Sequence, residues 1–200
     1  MGITERRQRQ KDEVRTSIIN AARTLVLEEG WQSLSIRRIA EAIEYSVPVI
    51  YDHFENKDAI LTEFTMTGYD MLAKSLKQAK SQSDQPCQQL DAMANAYWNF
   101  AFENKEYYQL MFGLGMPNCE SARSIPGLAE FGELLITSIK EVIASSPNQD
   151  KDPFLKYHTF WSVLHGLVSI NMMHKTTTHG NMNELILKDA ISSFIKALKE

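Results

Sequence analysis

Cysteine is scarce in this sequence: the 200 residues contain only two, Cys87 and Cys119, and they lie far apart. Such a pair forms neither a disulfide framework nor a set of metal ligands, and it fits a reducing cytoplasm. No apolar run approaches the roughly 18 residues that a membrane-spanning helix needs. The charged first residues have no apolar segment of the kind found in signal peptides. We therefore expect a cytoplasmic protein that does not associate with a membrane.

Motifs of common catalytic and metal sites are also missing. The sequence has no glycine-rich phosphate loop, no nucleophile elbow and no HExxH motif. His174 and His179 are five residues apart, which is poor helical spacing for a metal. His158 and His165 share a helical face, but no cysteine or carboxylate joins them at ligand spacing. We therefore predict no enzymatic activity, no metal site and no cofactor.

Charge of one sign is not in large excess either, since the formal net charge is −4. Its distribution is uneven: residues 1–23 carry six basic and three acidic side chains, whereas residues 58–200 carry twelve basic and sixteen acidic ones. The positive charge is thus concentrated near the N-terminus. On charge alone, a solvated flexible tail and a nucleic-acid-binding segment are both open.

Apolar residues, by contrast, are abundant and recur at helical spacing, while no stretch alternates in the manner of a strand. A first helix is predicted to end at Gly30, a second to be capped by Ser35, and a fourth to be capped by Asn56 and to end near Lys80. The later apolar stripes predict further helices over residues 90–102 continued through 107–112, 128–143, 153–175 and 183–198. The sequence therefore predicts an all-α fold.

Between the second and fourth helices lies the short segment "SVPVIYDHF", residues 46–54. If Ser46 caps a helix there, Pro48 falls in the first turn, where its missing N–H leaves no helical hydrogen bond unmade. Ile50 and Phe54 would then face inward. The side chains predicted to face outward are Val47, Val49, Asp52 and His53. Two short helices joined by a tight turn are typical of a DNA-binding helix-turn-helix, although a plain connector in a helical bundle is the alternative.

Residues 11–70 resemble the DNA-binding domain of the tetracycline-repressor (TetR) family of transcription regulators. The positions that match are Ala22, Gly30, Ser35, Ile39, Ala40, Ser46, Tyr51, Phe54, Lys57 and Leu61. The resemblance implies a three-helix helix-turn-helix domain over residues 11–70 and a helical ligand-binding and dimerisation domain over residues 71–200. Glu44 stands where the family commonly has glycine, and Tyr45 replaces a small aliphatic residue, which puts the local packing in question.

The resemblance also implies roles for individual residues. Ser35, Tyr51 and Lys57 match positions that contact DNA phosphates, and Arg37 matches one that reads a base edge. The remaining residues predicted to bind DNA belong to the short recognition helix and its cap: Ser46, Val47, Pro48, Val49 and His53.

Large aromatic and methionine side chains dominate the second half of the chain. Such stripes are usually core, but they also line small-molecule sites. The resemblance implies that the C-terminal domain binds an inducer, and "FENKEYYQLMFG" and "WSVLHG" resemble a subfamily named for its Trp, His and Gly, here Trp161, His165 and Gly166. We expect a cavity between the helix of Trp98 and Phe102 and the helix of Trp161. The candidate lining residues are Trp98, Phe102, Tyr107, Tyr108, Met111, Phe112, Met116, Phe131, Trp161 and His165.

Together these features predict a homodimeric transcription regulator, a repressor that a small apolar or amphipathic ligand releases from double-stranded operator DNA. The resemblance implies that the last two helices form a four-helix bundle with those of a second copy. The alternative is a helical small-molecule-binding protein or enzyme with a degenerate DNA-binding domain, but Arg37, Tyr51 and Lys57 favour the regulator. The inducer, the operator and the sign of regulation stay open, as does a ligand-contacting or structural role for His165.

Overall fold

The computed structural model describes residues 2–112, 126–173 and 180–200, and these residues form nine α-helices and no strand. The helices are α1 (Ile3–Glu29), α2 (Ile36–Ala42), α3 (Val47–Tyr51), α4 (Lys57–Lys80), α5 (Pro86–Glu103), α6 (Lys105–Phe112), α7 (Pro126–Ala144), α8 (Pro153–Met173) and α9 (Gly180–Lys199). A short 3-10 turn, Trp31–Ser33, follows α1. The predicted all-α fold is confirmed.

Helix α1 starts at Ile3 and includes the basic N-terminal segment. The Glu5 carboxylate accepts a hydrogen bond from the backbone nitrogen of Gly2 at 2.9 Å and so satisfies an amide at the helix start. At the other end, Gly30 adopts a φ of +81° and donates its N–H to the Val26 carbonyl at 2.8 Å. The basic segment, within the described residues, is therefore a helix and not an unstructured tail.

The caps of the next three helices follow local rules with one exception. The Ser35 hydroxyl accepts from the backbone nitrogen of Arg38 at 3.3 Å, and the Asn56 side-chain oxygen accepts from that of Ala59 at 2.8 Å, as predicted. Ser46 does precede α3, and Pro48 occupies the second helical position, but the Ser46 side chain makes no capping hydrogen bond. The predicted start of α3 after Ser46 is therefore confirmed, although Ser46 caps the helix without a side-chain hydrogen bond.

Helix α4 joins the two halves of the molecule. It is 24 residues long, about 36 Å, and its buried side chains, such as Phe64 near one end and Leu76 near the other, pack along its length. The predicted domain boundary between residues 70 and 71 falls inside this helix. A displacement of one end of α4 is therefore carried to the other without an intervening loop.

Two glycines lie where helices approach α4 closely. A Cβ placed on Gly68 would lie 2.5 Å from Met111 Sδ of α6. A Cβ placed on Gly127 of α7 would lie 2.7 Å from the Cβ of Tyr69 and 3.1 Å from the backbone nitrogen of Asp70. Gly127 therefore sets how near α7 comes to α4, whereas a Cβ at Gly68 would displace the flexible end of the Met111 side chain.

Helices α5 and α6 are separate, although their apolar stripe was predicted to be continuous. Asn104 interrupts it, with its N–H still donating to the Phe100 carbonyl at 2.9 Å, and α6 starts at the next residue. Some residues named from the sequence lie outside the described part of the chain: Met116, Cys119, His174 and His179. No helix in the described part of the chain is long and apolar enough to span a membrane.

Helices α8 and α9 leave apolar side chains in solvent. The exposed large residues on them are Phe154, Leu155, Val163, Ile170, Met182, Leu185 and Ile186. On α8, Val163 and Ile170 are two turns apart on one face, and Gly166 lies between them. No atom lies within 4 Å of a Cβ built on Gly166, so this face is open.

Candidate DNA-binding and ligand-binding sites

The core of residues 11–70 holds the short helix α3 in place. Ile39, Ile50 and Phe54 are buried, as their helical spacing predicted. The Arg15 guanidinium of α1 lies 4.5 Å from the centre of the Phe54 ring and pairs with Glu63 of α4 at 2.9 Å. One arginine thus connects α1, the segment that follows α3, and α4.

Glu44, in the turn between α2 and α3, has a left-handed backbone. Its φ is +58°, which for a residue with a Cβ costs on the order of 1 kcal/mol. Tyr45 donates its N–H to the Ala40 carbonyl at 2.9 Å, and its side chain is 47% exposed. The ring therefore lies at the surface, so it does not disturb the packing that a small aliphatic residue would fill.

Several of the predicted DNA-binding residues lie at the surface of this unit. Tyr51 and Pro48 are exposed, and Ser46 is exposed beside them. The Arg37 side chain is 83% exposed and is held by Glu41 one turn away at 2.9 Å. Lys57 is half-buried at the first position of α4, and Ser35 and Val49 are also half-buried.

Val47 and His53 do not face outward as predicted. Val47 packs in part against the core, because it is three residues before the buried Ile50 and so lies on the same side of α3. His53 is half-buried, and its Nδ1 is a buried atom without a hydrogen-bond partner among the residues described. The exposed part of α3 is consequently narrower than the sequence suggested.

Arg38, next to Arg37, has a different role. Its Nη1 donates to Glu29 at 2.7 Å and to the Ser33 carbonyl at 3.3 Å, which connects α2 to the end of α1. The hydrogen bond from Arg38 lowers the pKa of Glu29 below its ordinary value. Of the two neighbouring arginines, Arg38 is thus engaged within the protein and Arg37 points to solvent.

A contact that sequence reasoning missed joins the N-terminal unit to α6. The indole N–H of Trp31 donates to the Glu106 carbonyl at 2.8 Å. The Trp31 ring also meets Phe64 edge-on at 5.3 Å, and Phe64 in turn lies 5.9 Å from Tyr107. Sequence periodicity gives no signal for a contact between residues 75 positions apart.

The C-terminal region contains a chain of polar contacts within an aromatic cluster. The hydroxyls of Tyr97 and Tyr108 are 2.9 Å apart, and the Tyr108 hydroxyl lies 2.6 Å from His165 Nδ1. His165 Nε2 lies 3.4 Å from the Ser169 hydroxyl. A neutral imidazole donates at one nitrogen and accepts at the other, so the chain is satisfied in either direction.

Burial keeps the hydrogen-bonded side chains of Tyr97, Tyr108 and His165 uncharged. It raises the pKa of both tyrosines well above their ordinary value, with the Tyr108 hydroxyl adding to the rise for Tyr97. Burial also lowers the pKa of His165, so its imidazole is neutral at neutral pH. The partners of His165 in the structure are the hydroxyls of Tyr108 and Ser169 and not a backbone carbonyl.

The Phe112 ring packs against three members of this cluster. It lies 4.7 Å from Tyr108, 5.1 Å from His165 and 6.1 Å from Trp161. The Nε1 atom of Trp161 is buried and has no hydrogen-bond partner among the described residues. The Trp161 indole acts against the rise in the Tyr97 pKa.

The ring contacts bring together five of the predicted ligand-binding residues, namely Tyr108, Phe112, Phe131, Trp161 and His165. Tyr97 joins them from α5 in the position expected for Trp98, because one residue along a helix rotates the side chain by about 100°. Trp98 and Phe102 contact each other at 4.8 Å, and Phe102 is 40% exposed. Met111 is buried and lies against Gly68 of α4.

The aromatic rings of Tyr97, Tyr108 and Phe112 contact one another between α5 and α8. A cavity between these two helices stays a prediction. A groove of about 540 Å³ lies between α7 and α8, and Trp161 forms part of its wall. The other residues that line it are Leu128, Ala129, Gly132, Glu133, Ile136, Thr137, Lys140 and Tyr157. The described residues contain no group of three or more side chains suited to a metal ion.

Comparisons with known proteins agree with this arrangement. Residues 18–64 match the family model described as bacterial regulatory proteins, tetR family, and residues 90–189 match the model of a tetracyclin repressor-like C-terminal domain. The second match, half of the chain, contains Trp161 and His165, but its description does not name the Trp-His-Gly subfamily, which stays a prediction.

Individual relatives are distant. The HTH-type transcriptional activator FasR of Mycolicibacterium smegmatis is 26% identical over 102 residues, 51% of this chain and 47% of that protein. The uncharacterised HTH-type regulator YobS of Bacillus subtilis is 28% identical over 96 residues, 46% of this chain and 48% of that protein. The chain thus spans about half the length of these curated relatives.

Among solved structures, the transcriptional regulator FadR of Bacillus subtilis in complex with stearoyl-CoA is similar, with a TM-score of 0.69 at 18% identity. The match covers 92% of this chain and 97% of that one. At this identity the likeness is one of fold.

Proposed function

The chain belongs to the tetR family of bacterial regulatory proteins, and on that premise we propose that it is a DNA-binding transcription regulator that responds to a small ligand. The observation that carries the proposal is the surface formed by Arg37, Pro48, Tyr51 and Lys57. An exposed arginine can read a guanine edge, while a tyrosine hydroxyl and a lysine at a helix start suit phosphates. Residues 11–70 are proposed as the DNA-binding unit and residues 71–200 as the sensing unit.

The groove between α7 and α8 supports a small apolar or amphipathic ligand. Its volume of about 540 Å³ is within the usual range for small-molecule sites, and Ile136, Tyr157 and Trp161 give it an apolar wall. Lys140 supplies one cation that would favour an anionic group. The stearoyl-CoA bound to the FadR structure supports a ligand with a long apolar part.

The proposed release of the protein from DNA depends on the contacts that α6 makes. A ligand that enters along Trp161 would displace Phe112 or His165, and both lie against α6 or within it. The same helix carries the Glu106 carbonyl that Trp31 binds and the Met111 side chain that meets Gly68 of α4. A ligand would thus favour a conformer in which the two recognition helices no longer match successive major grooves.

Dimerisation is proposed to use the exposed face of α8 and α9. Two recognition helices about 34 Å apart are needed to contact two half-sites one helical turn apart. The apolar residues Val163, Ile170 and Leu185 in solvent make this face suitable for a second copy. The sign of regulation is open to test: the FasR relative is named an activator, whereas we propose a repressor.

The test is binding to a duplex that the wild-type protein selects from a random-sequence library. Lys57→Ala should weaken binding to all sequences and flatten its salt dependence by about one unit per phosphate contact. Arg37→Ala should also relax the preference at one base position, which costs about 1–3 kcal/mol of discrimination.

The matched control is Lys74→Ala, which removes an exposed lysine from the same helix, α4, outside the N-terminal unit. It should bind like the wild type. If Lys57→Ala and Arg37→Ala also bind like the wild type, this surface is not the DNA site. If the wild type selects no sequence, the protein is not a sequence-specific regulator, and the helical small-molecule-binding alternative is favoured.

A further inference from the structure

The first four turns or so of α1, residues 3–17, precede the region that matches the family. The family model starts at residue 18, whereas α1 starts at Ile3. Arg7 and Lys11 in this extension are both exposed. The proposed helix-turn-helix function does not use them.

Arg7, Lys11 and Arg15 are spaced by four residues and therefore share one face of α1. Arg15 fixes the direction of that face, because its guanidinium lies 4.5 Å from the Phe54 ring and 2.9 Å from Glu63. Phe54 lies between the recognition helix α3 and Lys57. Lys11 and Arg7 thus continue from this junction by about 6 and 12 Å along the helix axis.

The acidic residues near Arg7 and Lys11 on α1 bind other groups or lie on another face of the helix. The Glu5 carboxylate binds the backbone nitrogen of Gly2 at 2.9 Å, and the Asp12 carboxylate binds the Gln8 amide at 2.9 Å. Glu13 is two residues from Lys11, which places it on the opposite face of the helix. The Arg7–Lys11 face therefore presents positive charge to solvent beside the proposed DNA surface.

We propose that Arg7 and Lys11 form a second DNA-contacting element, which binds backbone phosphates flanking the base pairs that α3 reads. The inference rests on the proposed function, since it needs the protein to be bound through α3. Long basic side chains on a rigid helix neutralise phosphates without reading sequence, so the element adds affinity and not base preference. A helix preorganises the two charges, whereas an unstructured tail would have to be ordered on binding.

The experiment compares the salt dependence of binding to the selected duplex, about 30 base pairs long, for the wild type and Arg7→Gln/Lys11→Gln. Removal of one lysine or arginine from a phosphate lowers the slope of log affinity against log salt by roughly 0.9. The slope of the double variant should therefore fall by about 2 units per protomer, with the same base preference. Trimming the duplex to the base pairs under the two recognition helices should remove the difference between the two proteins.

The matched control is Arg6→Gln/Arg9→Gln, which removes the same charge from positions of the same helix that point about 100–160° away from Arg7 and Lys11. It should keep most of the wild-type slope, and the charge-conserving Arg7→Lys/Lys11→Arg variant should keep all of it. Equal slopes for the wild type and the Arg7/Lys11 variant, or equal reductions for both glutamine variants, would overturn the inference while leaving the helix-turn-helix assignment in place. A wild-type protein that binds no DNA would instead refute the proposed function itself.

Discussion

His165 combines partial burial, a tyrosine partner and a tryptophan neighbour at one side chain. Its Nδ1 lies 2.6 Å from the Tyr108 hydroxyl, and its ring lies 5.7 Å from that of Trp161. Because burial lowers its pKa, protonation opposes folding. The unfolded chain, with a pKa near 6.5, binds the proton more readily than the folded chain does.

This residue predicts a pH dependence of stability with a definite sign. The contribution of His165 is fully present above the unfolded pKa of about 6.5 and is lost as pH falls through the lower folded pKa. The free energy of unfolding of the wild type, measured with denaturant, should fall over this window, and His165→Asn should reduce the slope. His158→Asn, which removes an exposed histidine from the same helix, is the control. A His165→Asn slope equal to that of the wild type would contradict the assignment.

At the scale of single residues, the sequence predicts what local geometry determines. Gly30, Ser35 and Asn56 end or cap helices because each has a backbone freedom or side-chain acceptor suited to that position. The sequence does not determine whether Tyr97 or Trp98 faces the aromatic cluster. An apolar stripe with large residues at adjacent positions is compatible with two rotations of the helix about its axis. The hydrogen-bond partner of Trp31 could not be predicted either, because a backbone carbonyl on another helix leaves no pattern in the sequence.

At the scale of helices, the spacing between α4 and α7 depends on one glycine. A Cβ on Gly127 would meet the Cβ of Tyr69 and the backbone of Asp70, neither of which can turn aside. The atoms that limit this approach therefore belong to the main chain of α4 or lie next to it.

Gly127→Ala should destabilise the protein by about 1–3 kcal/mol, because the two helices must separate to admit the methyl group. Gly132→Ala in the same helix is the control: its Cβ would lie 3.4 Å from the Tyr157 hydroxyl, an ordinary contact. That variant should be neutral or gain up to about 1 kcal/mol from helix propensity. Thermal and denaturant unfolding measure both, and equal stability of the two variants would contradict this close approach.

Helix positions were largely predictable from periodicity, but the relations between helices were not. The apolar stripes of α7, α8 and α9 are long and regular, so their existence follows from local pattern. The break at Asn104 was missed because the apolar spacing runs across it. The groove on the α7 side of Trp161 was missed because the sequence does not specify which of two neighbours a wide side chain faces.

At the scale of the whole molecule, the face of α8 and α9 exposes apolar side chains that a partner could bury. Val163, Gly166 and Ile170 form a strip on α8 with an apolar residue on each side of a bare backbone. A glycine at the centre of such a strip lets a second helix approach closely. This geometry suits the α8 helix of a second copy.

Gly166→Leu should therefore fold but dimerise less well. Apart from the adjoining residues and backbone of α8 itself, no atom of the chain lies within 4 Å of the new Cβ, so the cost arises only when a second copy packs there. Light scattering should give twice 22.8 kDa for the wild type at micromolar concentration and a mass closer to 22.8 kDa for the variant. A wild type that remains at 22.8 kDa, or a Gly166→Leu protein that stays fully dimeric, would exclude this face as the interface.

The hydrogen bond between Trp31 and Glu106 also has a spectroscopic consequence. The chain has three tryptophans, and they lie in three different settings: at the junction with α6, on α5, and in the wall of the groove. A protein that keeps only Trp31, with phenylalanine at positions 98 and 161, carries one tryptophan, whose N–H binds a carbonyl across that junction and whose emission is excited selectively at the red edge of protein absorption. Its emission would shift when water replaces the carbonyl, so motion of the N-terminal unit against α6 becomes visible in solution without an attached dye.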